Sequence, residues 1–264
     1  MRGWRKHLIL GFLLLGVVDC ETNPAGPIVE PPRFSVGDRW NYTYDAALRD
    51  SLGAVINQYH DSIEVRVAAI VDSVAGLTGL VRMEARSLLS FVGSAGASGI
   101  ESVWYQVSPT SLVEVAYRNA GAVPIVILSA AGPTGRLMVG SFFDPLKAVR
   151  SEINTDTTMI REDPRIVLKY PLKKGERWDS FRLPFLQTRE IVAVEDIHVL
   201  GQKVSTARIR TALPDMSLGI EWNDWVSKRG LMRRILVVTV DSFDENLNPT
   251  GRMTHTESLE LVAM

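Results

Sequence analysis

With 264 residues, 46% of them apolar and 22% charged, the chain is long enough to bury a substantial core and too apolar for wholesale disorder. A formal net charge of −1, with no basic stripe interleaved with aromatics, argues against nucleic acid as a partner. The lone cysteine rules out an internal disulfide.

The first residues set the compartment. Arg2, Arg5 and Lys6 form a positive stretch, and Leu8 to Val18 is an apolar run interrupted only by two glycines. Such a run is too short to span a bilayer as a helix and fits the apolar region of a signal peptide. It meets Asp19-Cys20. Val17-Val18-Asp19-Cys20 resembles the lipobox of bacterial lipoproteins, departing from it at Asp19, where the pattern has a small residue. The resemblance implies removal of residues 1–19 and lipidation of Cys20, with the membrane as a partner through the acyl chains. The other readings are an uncleaved anchor or cleavage elsewhere. Without residues 1–19 the chain would carry 26 basic and 29 acidic side chains, a formal −3. Glu21 in place of the aspartate that retains lipoproteins in the inner membrane implies, by the same resemblance, the periplasmic face of the outer membrane.

Residues 20–32 hold four prolines and no periodicity, which predicts an extended tether, with the folded part beginning near Arg33. Residues 33–120 read as a first β unit. Phe34-Ser-Val-Gly37-Asp-Arg-Trp40 makes a turn at Gly37 and enters a strand at Trp40, while residues 45–60 fit strand or a broken helical turn. Ile63, Val65, Val67, Ala69 and Val71 share one parity against Glu64, Arg66 and Asp72, the pattern of a strand with one wet face. Val81, Met83 and Ala85 alternate likewise after the turn at Gly76 to Gly79, so the two runs form an antiparallel hairpin. Gly93 to Gly99 reads as a flexible loop, and strands follow at Val103 to Val107 and Leu112 to Tyr117.

Residues 121–165 read as a connection, with a buried strand at Pro124 to Ser129. Asp144-Pro145 then predicts the capped start of a short helix folded against the sheet. Residues 166–264 repeat the first unit. Pro171-Leu172, Gly175 and Trp178 answer the Gly37–Trp40 turn. The hairpin about Gly201 answers the one about Gly76, and the strands from Trp225 through Gly230 answer those from Trp104. Helical periodicity is nearly absent. The expected fold is all-β with a minor helical piece: a large twisted antiparallel sheet or open half-barrel of two related halves.

Pro171-Leu172, Gly175 and Trp178, then Gly201, Trp225 and Gly230-Leu231, resemble a group of bacterial extracytoplasmic lipoproteins of unknown function whose β domains open with Pro-Leu-x-x-Gly-x-x-Trp. They are similar in architecture to LolA, LolB and LppX half-barrels, which hold lipid or acyl chains in a concave apolar face. The resemblance implies a fold and a compartment, gives Gly37, Trp40, Pro171, Gly175 and Trp178 structural roles, and transfers no catalytic residue.

The residues themselves offer little catalytic chemistry. His60, His198 and His255 are far apart in sequence and lack metal-ligand spacing. No nucleophile elbow or phosphate-binding Gly-Lys-Ser/Thr occurs. Asp241, Asp244 and Glu245 with Asn246 and Asn248 fit no EF-hand and suit a hairpin end. Glu195 and Asp196, adjacent on a strand, face opposite sides. Trp40 and Trp178 read as core anchors, and Trp104, Trp222 and Trp225 as candidates for a ligand groove. Trp222 and Trp225 differ in parity, so at most one faces inward. The expectation is a non-enzymatic, cofactor-free and metal-free envelope protein with an interaction or assembly role. Its alternative is a carrier or sensor that binds a hydrophobic ligand in the concave face.

Overall fold

A computed structural model describes residues 28, 30–87, 100–120, 141–147, 157–183, 185–214, 219–243 and 248–264. The leader, Cys20, the Gly93–Gly99 loop, the strand expected at Pro124 to Ser129 and the acidic turn at Asp244 to Asn246 lie outside those residues.

Among the described residues the strands are β1 (Arg39–Arg49), β2 (Val55–Val74), β3 (Leu77–Ser87), β4 (Ile100–Ser108), β5 (Ser111–Ala120) and β6 (Met159–Lys169), followed by β7 (Arg177–Phe181), β8 (Gln187–Val199), β9 (Gln202–Ala212), β10 (Gly219–Ser227), β11 (Gly230–Phe243) and β12 (Pro249–Ala263). They form one twelve-stranded sheet in the order β6-β5-β4-β3-β2-β1-β12-β11-β10-β9-β8-β7. Every ladder pairs antiparallel strands, and β1 meets β12 from Asn41↔Ala263 to Arg49↔Thr254. Each half is thus a six-stranded meander, and the pairing of the first strand with the last joins them into a single sheet. The stretch 45–60, readable two ways in sequence, is the end of β1, a turn at Asp50 to Ala54, and the start of β2.

The repeat extends to individual hydrogen bonds. Gly37 N donates to Val67 O at 3.0 Å, and Val67 N donates to Asp38 O at 2.9 Å. In the second half Gly175 N donates to Ile191 O at 2.8 Å, and Ile191 N donates to Glu176 O at 2.9 Å. Gly37 and Gly175 have φ of +93° and +88°, where a side chain would strain the backbone. Three residues on, Trp40 and Trp178 are both buried. Both long hairpins carry a bulge beside this lock, at Val67/Ala69 and at Ile191/Ala193. A bulge shifts the face on which later side chains fall. The buried parity of Ile63, Val65 and Val67 therefore fails beyond it, and Val71 is 80% exposed.

The sheet curls until its edges β6 and β7 face each other, and this seam is closed by side chains. Trp178 Nε1 donates to Ile166 O at 3.0 Å, Ser180 Oγ to the same carbonyl at 2.7 Å, and Arg182 N to Asp163 Oδ2 at 3.0 Å. The sequence assigned residues up to 165 to the connection and began the second unit at 166. In the fold β6 straddles that boundary and pairs with β5, completing the first half.

Of the predicted helix the described residues show one 3-10 turn, Pro145–Lys147, and the remainder lies outside them. Its cap is as expected, with Leu146 N donating to Asp144 Oδ1 at 3.2 Å. Residues 141–146 are all buried, because this segment fills the interior of the barrel. Tyr42 packs on Phe142 with ring centroids 5.1 Å apart, and Tyr105 on Phe143 at 6.3 Å. The tether is also shorter than expected. Ile28 bridges Leu172, and Pro32 is buried, so the chain packs across the barrel mouth before Arg33.

Candidate functional site: the barrel interior and its ends

The sheet alternation delivers charged side chains to the inside at several positions. Along β10, Trp222, Asp224 and Val226 are buried, as are Met232, Arg234, Leu236 and Val238 along β11. An acid and an arginine thus sit inside an otherwise apolar wall, and buried charge is tolerated only when paired.

Two linked clusters satisfy that condition. Asp224 accepts from Arg189 through one oxygen and from Arg234 Nε, at 2.7 Å, through the other. Trp222 Nε1 donates to the same carboxylate at 2.9 Å. Arg189 also donates to Thr211 Oγ1 at 3.2 Å and to Val167 O at 2.6 Å, so this β8 side chain reaches across the seam to β6. In the second cluster Glu114 accepts from Arg161 Nε at 2.7 Å and from Arg165, and Arg165 pairs with Asp144 at 3.1 Å.

The inserted segment is tied into both clusters. Arg234 donates to Phe142 O, Arg165 donates to Phe143 O at 3.0 Å, and Glu101 accepts from Ser141 Oγ and from Phe142 N at 2.9 Å. Arg165, Arg234 and Glu101 thus hold the segment by its backbone, and Tyr42 and Tyr105 pack on its rings.

The electrostatics follow the burial. Burial raises the Asp224 carboxyl, but Arg234 and Arg189 outweigh it and hold the group below its usual value. Burial pushes the Arg189 guanidinium down to about 10, so it stays charged at neutral pH. Burial also raises the phenols of Tyr42, Tyr44, Tyr105 and Tyr170.

Among the described residues the interior keeps a cavity of about 110 Å³, whose wall includes Trp40, Tyr42, Tyr105, Phe142, Trp222 and Arg234. Ligand pockets for drug-sized molecules run from ~300 Å³ upward.

The sequence-predicted groove residues part company. Only Trp222 of the three lines this cavity, joined there by Trp40, whose pattern reads as a core anchor. Trp104 is buried in a separate cluster with Leu80, Val115 and Ala116, its indole donating to Asp72 at 3.0 Å. Trp225 is half-buried and donates to Glu195 at 2.8 Å, with Arg208 over its ring. Opposite parity does separate Trp222 from Trp225. Pro171, in a cis peptide with Tyr170, and Gly175 build the β6–β7 turn.

His60 is exposed beside Asp45, whereas His255 is buried against Glu257 at 2.8 Å. Among the described residues no group of three or more His, Cys, Asp or Glu is placed to hold a metal. The buried arginines were missed in sequence because each reads as the wet face of its strand. The available signal was an Arg or Asp sharing parity with Leu, Trp and Met, as in Trp222-x-Asp224-x-Val226.

No family model matches the sequence, and a search of curated proteins finds no match. A structural comparison finds the crystal structure of a "putative lipoprotein" from Parabacteroides distasonis, 12% identical, with a TM-score of 0.33 over 88% of this chain and 98% of that one. A likeness that distant leaves the functional argument to the chain's own residues.

Proposed function

We propose that this chain is a lipid-anchored cell-envelope protein, acylated at Cys20 and facing the periplasm from the outer membrane, with a non-catalytic interaction or assembly role. The observation that carries the non-carrier part of this reading is the filled interior. Residues 141–147, bound by Arg165, Arg234 and Glu101, leave a cavity of about 110 Å³. Buried ion pairs that complete one another hold a shape, and their charges are spent on each other rather than on a substrate. Function then falls to the outer surface and the two ends of the barrel. The leader, the lone cysteine after it and the proline-rich stretch support the anchoring half of the reading.

The test is crosslinking in the intact envelope followed by mass spectrometry. A reproducible protein partner, together with an N-terminal peptide whose mass carries acyl chains on Cys20, is the expected result. An unmodified Cys20 refutes anchoring, and a barrel that crosslinks to nothing refutes the interaction role. The second reading, a hydrophobic-ligand carrier, draws on the aromatic wall around Trp40 and Trp222. It requires residues 141–147 to leave the barrel, and lipid to co-purify with protein lacking its anchor.

A further inference from the structure

The two ends of the barrel differ in chemistry. At one end lie the chain's entry at residues 28–38 and the tight turns β2–β3, β4–β5, β6–β7, β8–β9 and β10–β11. Arg33, Lys173, Lys174, Lys228 and Arg229 are exposed there. The opposite end is mixed, with Arg49, Arg182 and Arg252 exposed among Asp50, Glu162 and Asp163.

The entry end also carries an open groove of about 820 Å³ between the entering chain and the β9 and β10–β11 segments. Arg33, Lys203, Lys228 and Arg229 line it, against one acid, Glu30. Lys203 pairs with Asp196 at 3.1 Å, which leaves three cations there without an ion pair among the described residues.

Apolar side chains are exposed at this end as well. Val36 is 61% exposed, Val71 80% and Leu200 40%, the last at the tip of the β8–β9 hairpin. Leu200 adopts φ +55°, a conformation that favours Gly or Asn and costs a β-carbon-bearing residue on the order of 1 kcal/mol. A leucine kept exposed at such a turn motivates a role outside folding.

We infer that this end of the barrel rests on an anionic phospholipid surface, with the Arg33–Lys203–Lys228–Arg229 groove taking a phosphate-bearing headgroup and the hairpin tips entering the interface. The inference builds on the anchored reading. From Cys20 to Ile28 the chain reaches at most about 28 Å when fully extended, and Ile28 is fixed to Leu172 at this end. An acylated Cys20 would therefore hold this end, rather than the opposite one, against the bilayer. Basic side chains at an anionic surface and apolar tips beside them are the two contributions that peripheral docking uses.

The test separates docking from anchoring by removing the anchor. The twelve described strands all lie after residue 38, so the chain from residue 20 with Cys20→Ser retains the barrel. Its co-sedimentation is measured with vesicles of phosphatidylcholine alone and of phosphatidylcholine with phosphatidylglycerol. It is expected to bind the anionic vesicles, spare the neutral ones, and come off as salt shortens the screening length. Lys228→Glu with Arg229→Glu, on an exposed turn, should lower the vesicle partition at least ~tenfold with an unchanged melting curve, and Leu200→Ser should lower it several-fold. Equal affinity for both vesicle types, no binding, or a double charge reversal without effect overturns the inference. The mass of the Cys20 peptide decides anchoring separately, so either idea fails without the other.

Discussion

The indole of Trp178 on β7 donates to the carbonyl of Ile166 on β6 across 3.0 Å, at the one place where the two edges of the sheet face each other without a shared ladder. Unpaired edges are where β proteins open and associate, so this bond does more here than it would inside a ladder. Trp178→Phe keeps the apolar bulk and loses the donor, an expected loss of about 1 kcal/mol. Trp178→Ala adds a cavity and should cost about 3–5 kcal/mol. Hydrogen exchange would show the difference locally, with β6 and β7 amides losing protection before those of β1 and β12.

Asp224 supplies both oxygens to two arginines, so its removal leaves two buried cations facing each other. Asp224→Asn is expected to destabilise by about 3–5 kcal/mol. Replacing Asp224, Arg189 and Arg234 together with apolar residues of similar volume should cost less than that single change. Denaturant titration of both variants checks the ordering.

The segment inside the barrel is held by rings as well as by backbone. Phe142→Ala or Phe143→Ala should each cost about 3–5 kcal/mol, and each should enlarge the interior cavity beyond its present ~110 Å³. A fluorescent apolar probe that ignores the parent protein and binds either variant would report the new space.

Stability should fall at both ends of the pH scale, for different reasons. The folded Asp224 carboxyl sits below its ordinary 3.8. Its contribution is complete above about pH 4 and is lost as pH falls through the depressed folded value. The raised phenols of Tyr42, Tyr44, Tyr105 and Tyr170 work in the opposite sense. They cost nothing below their ordinary 10.0, and above it only the unfolded chain ionises, which draws the equilibrium towards unfolding. Phenolate absorbance should therefore rise together with loss of the far-ultraviolet β signal, not before it.

The repeat makes a paired prediction. Gly37→Ala and Gly175→Ala place a β-carbon at nearly equal positive φ with open space around each, so backbone strain alone sets the cost. Each should lower stability by about 1–2 kcal/mol, and by amounts alike within error. A large inequality in thermal unfolding would show that the two locks are not equivalent.

Much of this architecture was legible in the chain. The Gly37–Trp40 and Gly175–Trp178 turns, the hairpins about Gly76 and Gly201, and the opposite facing of Trp222 and Trp225 all rest on local rules: a positive φ for glycine and a period of two for strands. Legibility stopped at the bulges after Val67 and Ile191, where one extra residue shifts the face without marking the sequence. It stopped also at Arg161, Arg165, Arg189 and Arg234, whose charge suggests water.

The sequence by itself determined an all-β chain written twice, because alternation and turn chemistry act over a few residues and need no partner. Only the tertiary structure decided that the sheet closes through Trp178, Ser180 and Arg189, and that residues 141–147 lie inside it. It alone brought Trp40 and Trp222 together on the wall of one cavity. Those outcomes depend on which distant side chains meet. A carboxylate such as Asp224 is compatible with the core only once two arginines from other strands, 35 and 10 residues away, converge on it.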